Sequence, residues 1–254
     1  MRSVYAVLMI ESVGMTEAVF LDHQTLRQIQ ATVLGADAAG IVLDRTIFYA
    51  RSGGQPGDTG VLRWEGGSAV ITDTVKGTDG AIVHVPAEGS PLPAPGTVVD
   101  AEIEWDRRYR LMRMHTAMHL LCSLIKGAAV TGGAVGLDKS RLDFDLPNPP
   151  AKEELEAGLN ALIVADLPVR FEWVDEARLD DDPGLVRTMS VQPPRGTGRL
   201  RLLRIGPDDS LVDLQPCGGT HVSRTGEIGA MRVTKIENKG RQNRRIIIAF
   251  AGES

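Results

Sequence analysis

Two short clusters, roughly a hundred residues apart, restrict this chain more than anything else in its sequence. The first is HTAMH, residues 115–119, inside the run YRLMRMHTAMHLLCSLIKG. The apolar spacing there predicts a helix over 107–126, stopped by Gly127. Residues four apart on a helix share a face, with Cβ atoms about 5–6 Å apart, so His115 and His119 can reach one metal ion. Taken alone, such a pair is more often two satisfied polar residues at a helix–sheet contact. The second cluster is QPCGGTHV, in which Cys217 and His221 are again four apart. The two glycines between them argue for a turn, which lets both side chains converge from a loop. Three imidazoles and a thiolate suit tetrahedral Zn²⁺, one ion per chain. A fold that uses all four must bring a helix and a distant turn to one point.

The residues between the two histidines, Thr116, Ala117 and Met118, include no Glu, so the metalloprotease pattern H-E-x-x-H lacks its general base. Cys122 shares the helix face and competes for the sulfur position, but its neighbours Leu121 and Leu124 favour a small core residue. His84 and His23 have no partner at ligand spacing and are read as structural. Spacing alone goes no further than a zinc protein, because a four-ligand site serves structure as readily as catalysis.

The first hundred residues read as short strands rich in Val, Ile and Thr, separated by Gly and Asp turns: QIQATVLGA, AGIVLDRTIFYA, GDTGVLRW, SAVITDTVKG, GAIVHV and TVVDAEIEW. Such spacing favours a small sandwich or barrel over a parallel sheet. Asp106 has the look of a helix N-cap and sets the expected boundary, giving domains 1–105 and 106–254. Beyond it the texture mixes helices with strands. NPPAKEELEAGLNALIVADL starts with Pro and acids, as a helix should. PVRFEWV and GRLRLLRIG are strands, and EIGAMRVTKIEN joins RRIIIAF through KGRQN as an antiparallel pair. VTGGAVG is read as a Gly-rich connection into the strand SRLDFDL. Helices packed on an antiparallel sheet make this second domain α+β.

With 43% hydrophobic and 24% charged residues the composition is that of a globular protein. No apolar run approaches the roughly 18 residues needed to span a bilayer, so no membrane partner is expected. Two cysteines make no disulfide framework, and the cytoplasm is the expected compartment. Residues 1–14 are expected to be a dispensable extension before the patterned sequence that follows Met15. The formal charge of -5 speaks against a general nucleic-acid coat but leaves room for a local basic face. Three cationic runs supply candidates: Arg107, Arg108, Arg110 and Arg113; Arg195, Arg199, Arg201 and Arg204; and Lys235, Lys239, Arg241, Arg244 and Arg245.

HTAMHLL, CGGTHV and the following TGEIG…IENKGRQNRRI closely resemble the editing domain of alanyl-tRNA synthetase and its free-standing relatives, the AlaX editing proteins. DRTIFYARSGGQPGDTG looks like the Gly-rich motif of the medium-length AlaX type, and the resemblance runs from about Met15 to Phe250. It implies an N-terminal β-barrel followed by the α+β domain shared with threonyl-tRNA synthetase editing regions. It implies a hydrolase that cleaves the ester of tRNA(Ala) wrongly carrying serine or glycine, with zinc on His115, His119, Cys217 and His221. No aminoacylation and no nucleotide cofactor are expected. Ser52 stands where the family often has a further glycine before Gly53 and Gly54, while Gln55, Pro56, Gly57 and Asp58 are as expected. TGGAVGLDKS replaces a Gln-Lys-Gly stretch frequent in the synthetases, so no role of that Gln transfers.

On this reading Gln55 and Asp58, with Gly53 and Gly54, come from the first domain to close the substrate pocket. Thr116 either bonds a seryl hydroxyl, orients water, or packs between its neighbours. Lys239, Arg241, Arg244 and Arg245 are expected to touch tRNA. The alternative reading is a tRNA-binding module with a structural zinc and no hydrolysis.

Overall fold

The computed structural model describes residues 15–186 and 198–252, so Arg195 and the stretch 1–14 lie outside the described residues. Among the described residues no helix is long and apolar enough to cross a membrane. The chain divides into two units, one made of residues 1–52 and 56–108, the other of 53–55 and 109–254.

The first unit begins with a parallel pair of two-residue strands, β1 (Glu17–Ala18) with β4 (Arg45–Thr46). Its body is a closed barrel of β2 (Gln28–Asp37), β3 (Gly40–Leu43), β5 (Gly60–Trp64), β6 (Gly67–Lys76), β7 (Ile82–Pro86) and β8 (Val98–Ile103). The strands run around it in the order β2-β3-β7-β6-β5-β8. The sequence alternates as a barrel demands: Ala31 and Val33, Ala69 and Ile71, and Val99, Ala101 and Ile103 all point inward and are buried with Phe48 and Leu62. Closure leaves no sheet edge to protect.

His84, on β7, is fully buried within this barrel. Its Nδ1 faces the Ile41 carbonyl oxygen at 2.9 Å, which makes Nδ1 the donor and Nε2 the acceptor for the Thr46 hydroxyl at 2.8 Å. Burial pushes its pKa down to about 4, although the Ile41 carbonyl works the other way. It is a neutral structural histidine.

The helix α1 (Trp105–Leu124) starts at the foot of the barrel unit, and Asp106 falls in its first turn rather than capping it. There its carboxylate still complements the helix dipole. The unit division comes after Arg108 because the first turn is bonded to barrel residues. Arg108 is fully buried, and its guanidinium grips the Asp58 carboxylate through Nε at 2.8 and 3.0 Å, with Nη2 also on Oδ2. It further donates to the carbonyls of Ile47 at 2.6 Å and Gln24 at 3.2 Å. Asp58 also accepts the Tyr49 N–H at 2.7 Å, and Arg107 donates to the Gly57 carbonyl at 2.8 Å.

The second unit holds the remainder of α1 and two antiparallel sheets. One has the order β14-β15-β10-β9, built from β9 (Val130–Ala134), β10 (Lys139–Asp145), β14 (Met231–Asn238) and β15 (Asn243–Phe250). The other is β11-β12-β13, from β11 (Val169–Asp175), β12 (Arg199–Ile205) and β13 (Asp213–Pro216). VTGGAVG is therefore partly strand, an edge whose glycines let other backbone approach. The helix α2 (Lys152–Val164) buries Leu155, Leu159 and Ile163. It is pinned to β14 by Asn160, which accepts the Met231 N–H at 2.9 Å and donates to the Met231 carbonyl at 2.7 Å. This is the expected α+β arrangement, with two sheets in place of one.

The buried Asp58–Arg108 pair gives the first prediction. Removing one partner of such a pair strands the other and costs about 3–5 kcal/mol. Arg108→Met should lose that much stability in the first unit, read by denaturant unfolding followed on the fluorescence of Trp64 and Trp105. Adding Asp58→Asn, which still accepts the Tyr49 N–H, should recover part of the loss. Equal loss in the double variant would show that the ion pair is not the cause.

Candidate metal centre

The four sequence-selected donors meet in the second unit. The ligand atoms of His115, His119, Cys217 and His221 all lie within 4.8 Å of one another, and the group could hold a metal ion. The Cys217 sulfur is 3.2 Å from His221 Nε2 and 3.8 Å from His115 Nε2. A tetrahedral site with bonds of about 2.0–2.3 Å places its donors about 3.3–3.6 Å apart, so these spacings fit one ion. Gly219 explains part of the turn: a Cβ there would sit 2.3 Å from the His115 ring. The loop can pass the imidazole only without a side chain.

What aims the imidazoles is a ring of acceptors on their other nitrogens. His115 Nδ1 meets the Gln55 amide oxygen at 2.8 Å, and His119 Nδ1 meets the Asp213 carboxylate at 2.9 Å. His221 Nδ1 meets the Thr116 hydroxyl at 3.2 Å. Amide and carboxylate oxygens only accept, so Nδ1–H is the donor on the first two rings and Nε2 is left for the centre. The Thr116 hydroxyl hydrogen goes to the Met112 carbonyl at 2.8 Å, so its oxygen accepts from His221 and from the Val222 N–H at 3.3 Å. One donated and two accepted bonds complete that hydroxyl, which is fully buried. The Thr116 hydroxyl is thus engaged by Met112, His221 and Val222.

Gln55 is brought to the second unit by its glycines. Gly54, at φ +85, lies so close to β9 that a Cβ would meet the Gly133 carbonyl oxygen at 2.9 Å. The Val135 N–H donates to the Gly54 carbonyl at 2.9 Å, and Gly53 has φ +55. Beyond His115, the Gln55 side chain accepts the Thr220 N–H at 3.1 Å and donates to the Thr220 hydroxyl at 2.8 Å. It thereby ties a helix ligand to the ligand loop. Asp58 belongs to the first unit, where its carboxylate is held by Arg108 and Tyr49 as described.

Sequence reasoning missed Asp213, Gln215 and the role of Arg201. Asp213 and Gln215 alternate with Cys217 along β13 and its continuation, so one face of the strand carries all three. That period-two pattern was the available signal. Gln215 donates to Asp213 at 2.7 Å. Arg201, a member of the second cationic run, is buried over the Phe171 ring, 3.3 Å from its centroid. It donates to the carbonyls of Cys217 at 2.9 Å and Gly219 at 3.0 Å, clamping the ligand turn.

Electrostatically the cluster favours a thiolate. Burial pushes the Cys217 thiol up, but the charges on His221 and His115 outweigh it and hold it well below the ordinary value. Burial likewise lowers His119, yet the bonds to Asp213 and Cys217 raise it to about 10. His221 is pushed down by burial and by the neighbouring His115 charge.

The other arginines of the helix run are also engaged. Arg110 donates to the Leu137 carbonyl and Arg113 to that of Ile228, and both stack on Phe250. In the third cationic run Arg245 forms a two-pronged pair with Asp143 at 2.7 and 2.8 Å, and Arg244 bonds the Pro147 carbonyl at 2.7 Å. Lys239 lies 3.0 Å from Glu237, while Arg241 is exposed in the turn between β14 and β15.

Known proteins resemble this chain along most of its length. A family model described as the threonyl and alanyl tRNA synthetase second additional domain matches residues 200–247, and one for class II (A) tRNA synthetases matches residues 6–107. The alanine–tRNA ligase of Pyrobaculum arsenaticum is 39% identical across 87% of this chain, which spans only 25% of that protein. The alanyl-tRNA editing protein AlaX-M of Methanosarcina acetivorans is 37% identical over 91% of this chain and 98% of its own length. That of Saccharolobus solfataricus is 31% identical over the same shares. Matched along nearly the whole of both sequences, the chain belongs to the AlaX-M family of alanyl-tRNA editing proteins.

Proposed function

We propose that this protein is a trans-acting deacylase that hydrolyses the ester bond of tRNA(Ala) carrying serine or glycine, at a zinc-containing site. The observation that carries this reading is the three-imidazole, one-thiolate cluster, each ring aimed inward by its own acceptor, in a chain of the AlaX-M family. His115, His119, Cys217 and His221 would hold the ion, and zinc there supplies a Lewis acid and a fixed template for the aminoacyl group.

An aminoacyl ester is already activated, so the reaction needs a positioned water and stabilisation of negative charge on the carbonyl oxygen. Water adds to the carbonyl carbon, the bond to the ribose oxygen breaks, and the amino acid leaves tRNA with a free hydroxyl. Gln55, Asp213 and Thr116 serve this indirectly by fixing tautomer and orientation of the three rings. Arg201 holds the Cys217–Gly219 turn. Gly53, Gly54 and Gln55 put the Gly-rich motif at the centre; Asp58 supports the same motif through its backbone neighbours. Lys239, Arg241, Arg244 and Arg245 are proposed to meet the tRNA backbone.

Incubation with Ser-tRNA(Ala), Gly-tRNA(Ala) and Ala-tRNA(Ala) tests the activity. The first two should lose their amino acid and the third should not, while His119→Ala and Cys217→Ala should be inactive yet folded by circular dichroism. Retained zinc and tRNA binding with no hydrolysis of any charged tRNA would leave only the binding-module alternative.

The acceptors on the imidazoles have their own test. Loss of such an outer partner typically weakens metal binding about 10–100-fold. Asp213→Asn and Thr116→Val should each lower zinc affinity by that order in competition with a chelator, and Thr116→Ser should restore it. Unchanged zinc affinity in Thr116→Val would remove the orienting role.

For the turn, charge reversal at Lys239, Arg241 and Arg244 should weaken tRNA binding and flatten its salt dependence. If affinity and salt dependence stay as in the parent protein, those residues do not contact tRNA.

A further inference from the structure

The four-stranded sheet of the second unit has one apolar face and one open face of unusual charge. Leu142, Phe144, Ile246, Ile248 and Phe250 are buried on the first. Alternation and register put the intervening residues on the other. Asp143 is opposite Arg245, which is opposite Glu237, and Arg141 is opposite Ile247, which is opposite Lys235. Six cations share this face, Lys139, Arg141, Arg232, Lys235, Lys239 and Arg245, against the acids Asp143, Asp145 and Glu237. The whole chain, in contrast, carries a formal charge of -5.

The charges are arranged in two triads, each with one acid between two cations. Asp143 lies between Arg141 at 2.5 Å and Arg245 at 2.7 Å, and Glu237 lies between Lys235 at 2.7 Å and Lys239 at 3.0 Å. Each triad keeps one net positive charge and holds its cations at a set position on the sheet. Arg245 and Arg141 hold the Asp143 carboxyl below its usual range, and the two lysines bring Glu237 down to about 2, so both acids stay ionised. These cations differ from Arg108 and Arg201, which are internal. The side chains of Lys235 and Arg141 are 65% and 36% exposed, and a lysine ammonium or guanidinium bound to one carboxylate retains further N–H donors.

We infer that this open sheet face is a docking surface for the phosphate backbone of an RNA arm, continuous through Lys239 with the turn at 239–242 and built on strands that carry none of the four metal-site residues. An anionic, regularly charged partner is what the net positive charge in an acidic protein selects, and backbone contact needs no base-reading groups. The inference rests on the tRNA reading above for the identity of the RNA, but not on hydrolysis.

The double substitution Arg141→Ala with Lys235→Ala is the sharp test, because Asp143 keeps Arg245 and Glu237 keeps Lys239. No acid is orphaned, so folding and zinc content should be unchanged. Binding of uncharged tRNA(Ala) is measured across a salt series, and the slope of log affinity against log salt should fall by about 1 for each cation removed. Arg63→Ala, an exposed cation on the barrel, is the control for net charge alone and should leave the slope as it was. An unchanged slope in the double variant overturns the inference, as does an equal change in the Arg63 control or the absence of tRNA binding. Normal binding with the expected slope change but no hydrolysis would uphold this surface while rejecting the deacylase reading.

Discussion

Three imidazole Nδ1 atoms each meet a different acceptor, and the rest of the second unit is arranged to make that so. The acceptors come from separated parts of the chain: Gln55 from the Gly-rich motif, Asp213 from β13, and Thr116 from the metal helix itself. An imidazole without an Nδ1 partner can rotate or change tautomer, and a set of four donors tolerates little of either. The requirement reaches outward. Gly54 must pass close to β9 for Gln55 to arrive, Gly219 must lack a side chain beside His115, and Arg201 must be buried beneath the turn.

This chain of dependence explains why buried polar residues are tolerated here. An uncompensated buried polar group costs roughly 1–3 kcal/mol. Thr116, Gln55, Asp213 and Thr220 are all buried, and each is bonded. In the first unit Asp58 and Arg108 follow the same rule, with the Arg108 guanidinium bonded to the Asp58 carboxylate and to the carbonyls of Ile47 and Gln24. In both units these buried polar groups are members of bonded networks.

The four donors were legible because helical spacing and a Gly-Gly turn are local signals, and so were the barrel strands, whose period-two alternation survives in the buried positions. The four-stranded sheet was partly legible; β9 was not, because Gly132 and Gly133 have low strand propensity and are held by pairing with β10. The partners of the histidines were harder. Gln55 could be named only from the resemblance, since nothing at residue 55 says that its amide will face residue 115. For Thr116 the sequence offers a seryl-hydroxyl bond, a role in orienting water, or packing, and its hydroxyl bonds to Met112, His221 and Val222 exist only in three dimensions.

Charge was the least legible property. The arginine runs at 107–113 and 199–204 look alike in sequence to the run at 235–245. Yet Arg108 and Arg201 are internal, and Arg110 and Arg113 lie over Phe250. A guanidinium is the cation best suited to such places, because it stacks on rings and offers a planar fork of donors. Lysine is a compact, strongly hydrated charge and stays outside. On the open sheet face the lysines at 139, 235 and 239 are exposed, and Arg141 and Arg245 are steadied by one shared acid. Sorting cations by burial and by what their partners leave unneutralised, rather than by density along the chain, is what separates structural arginines from a surface able to receive phosphate.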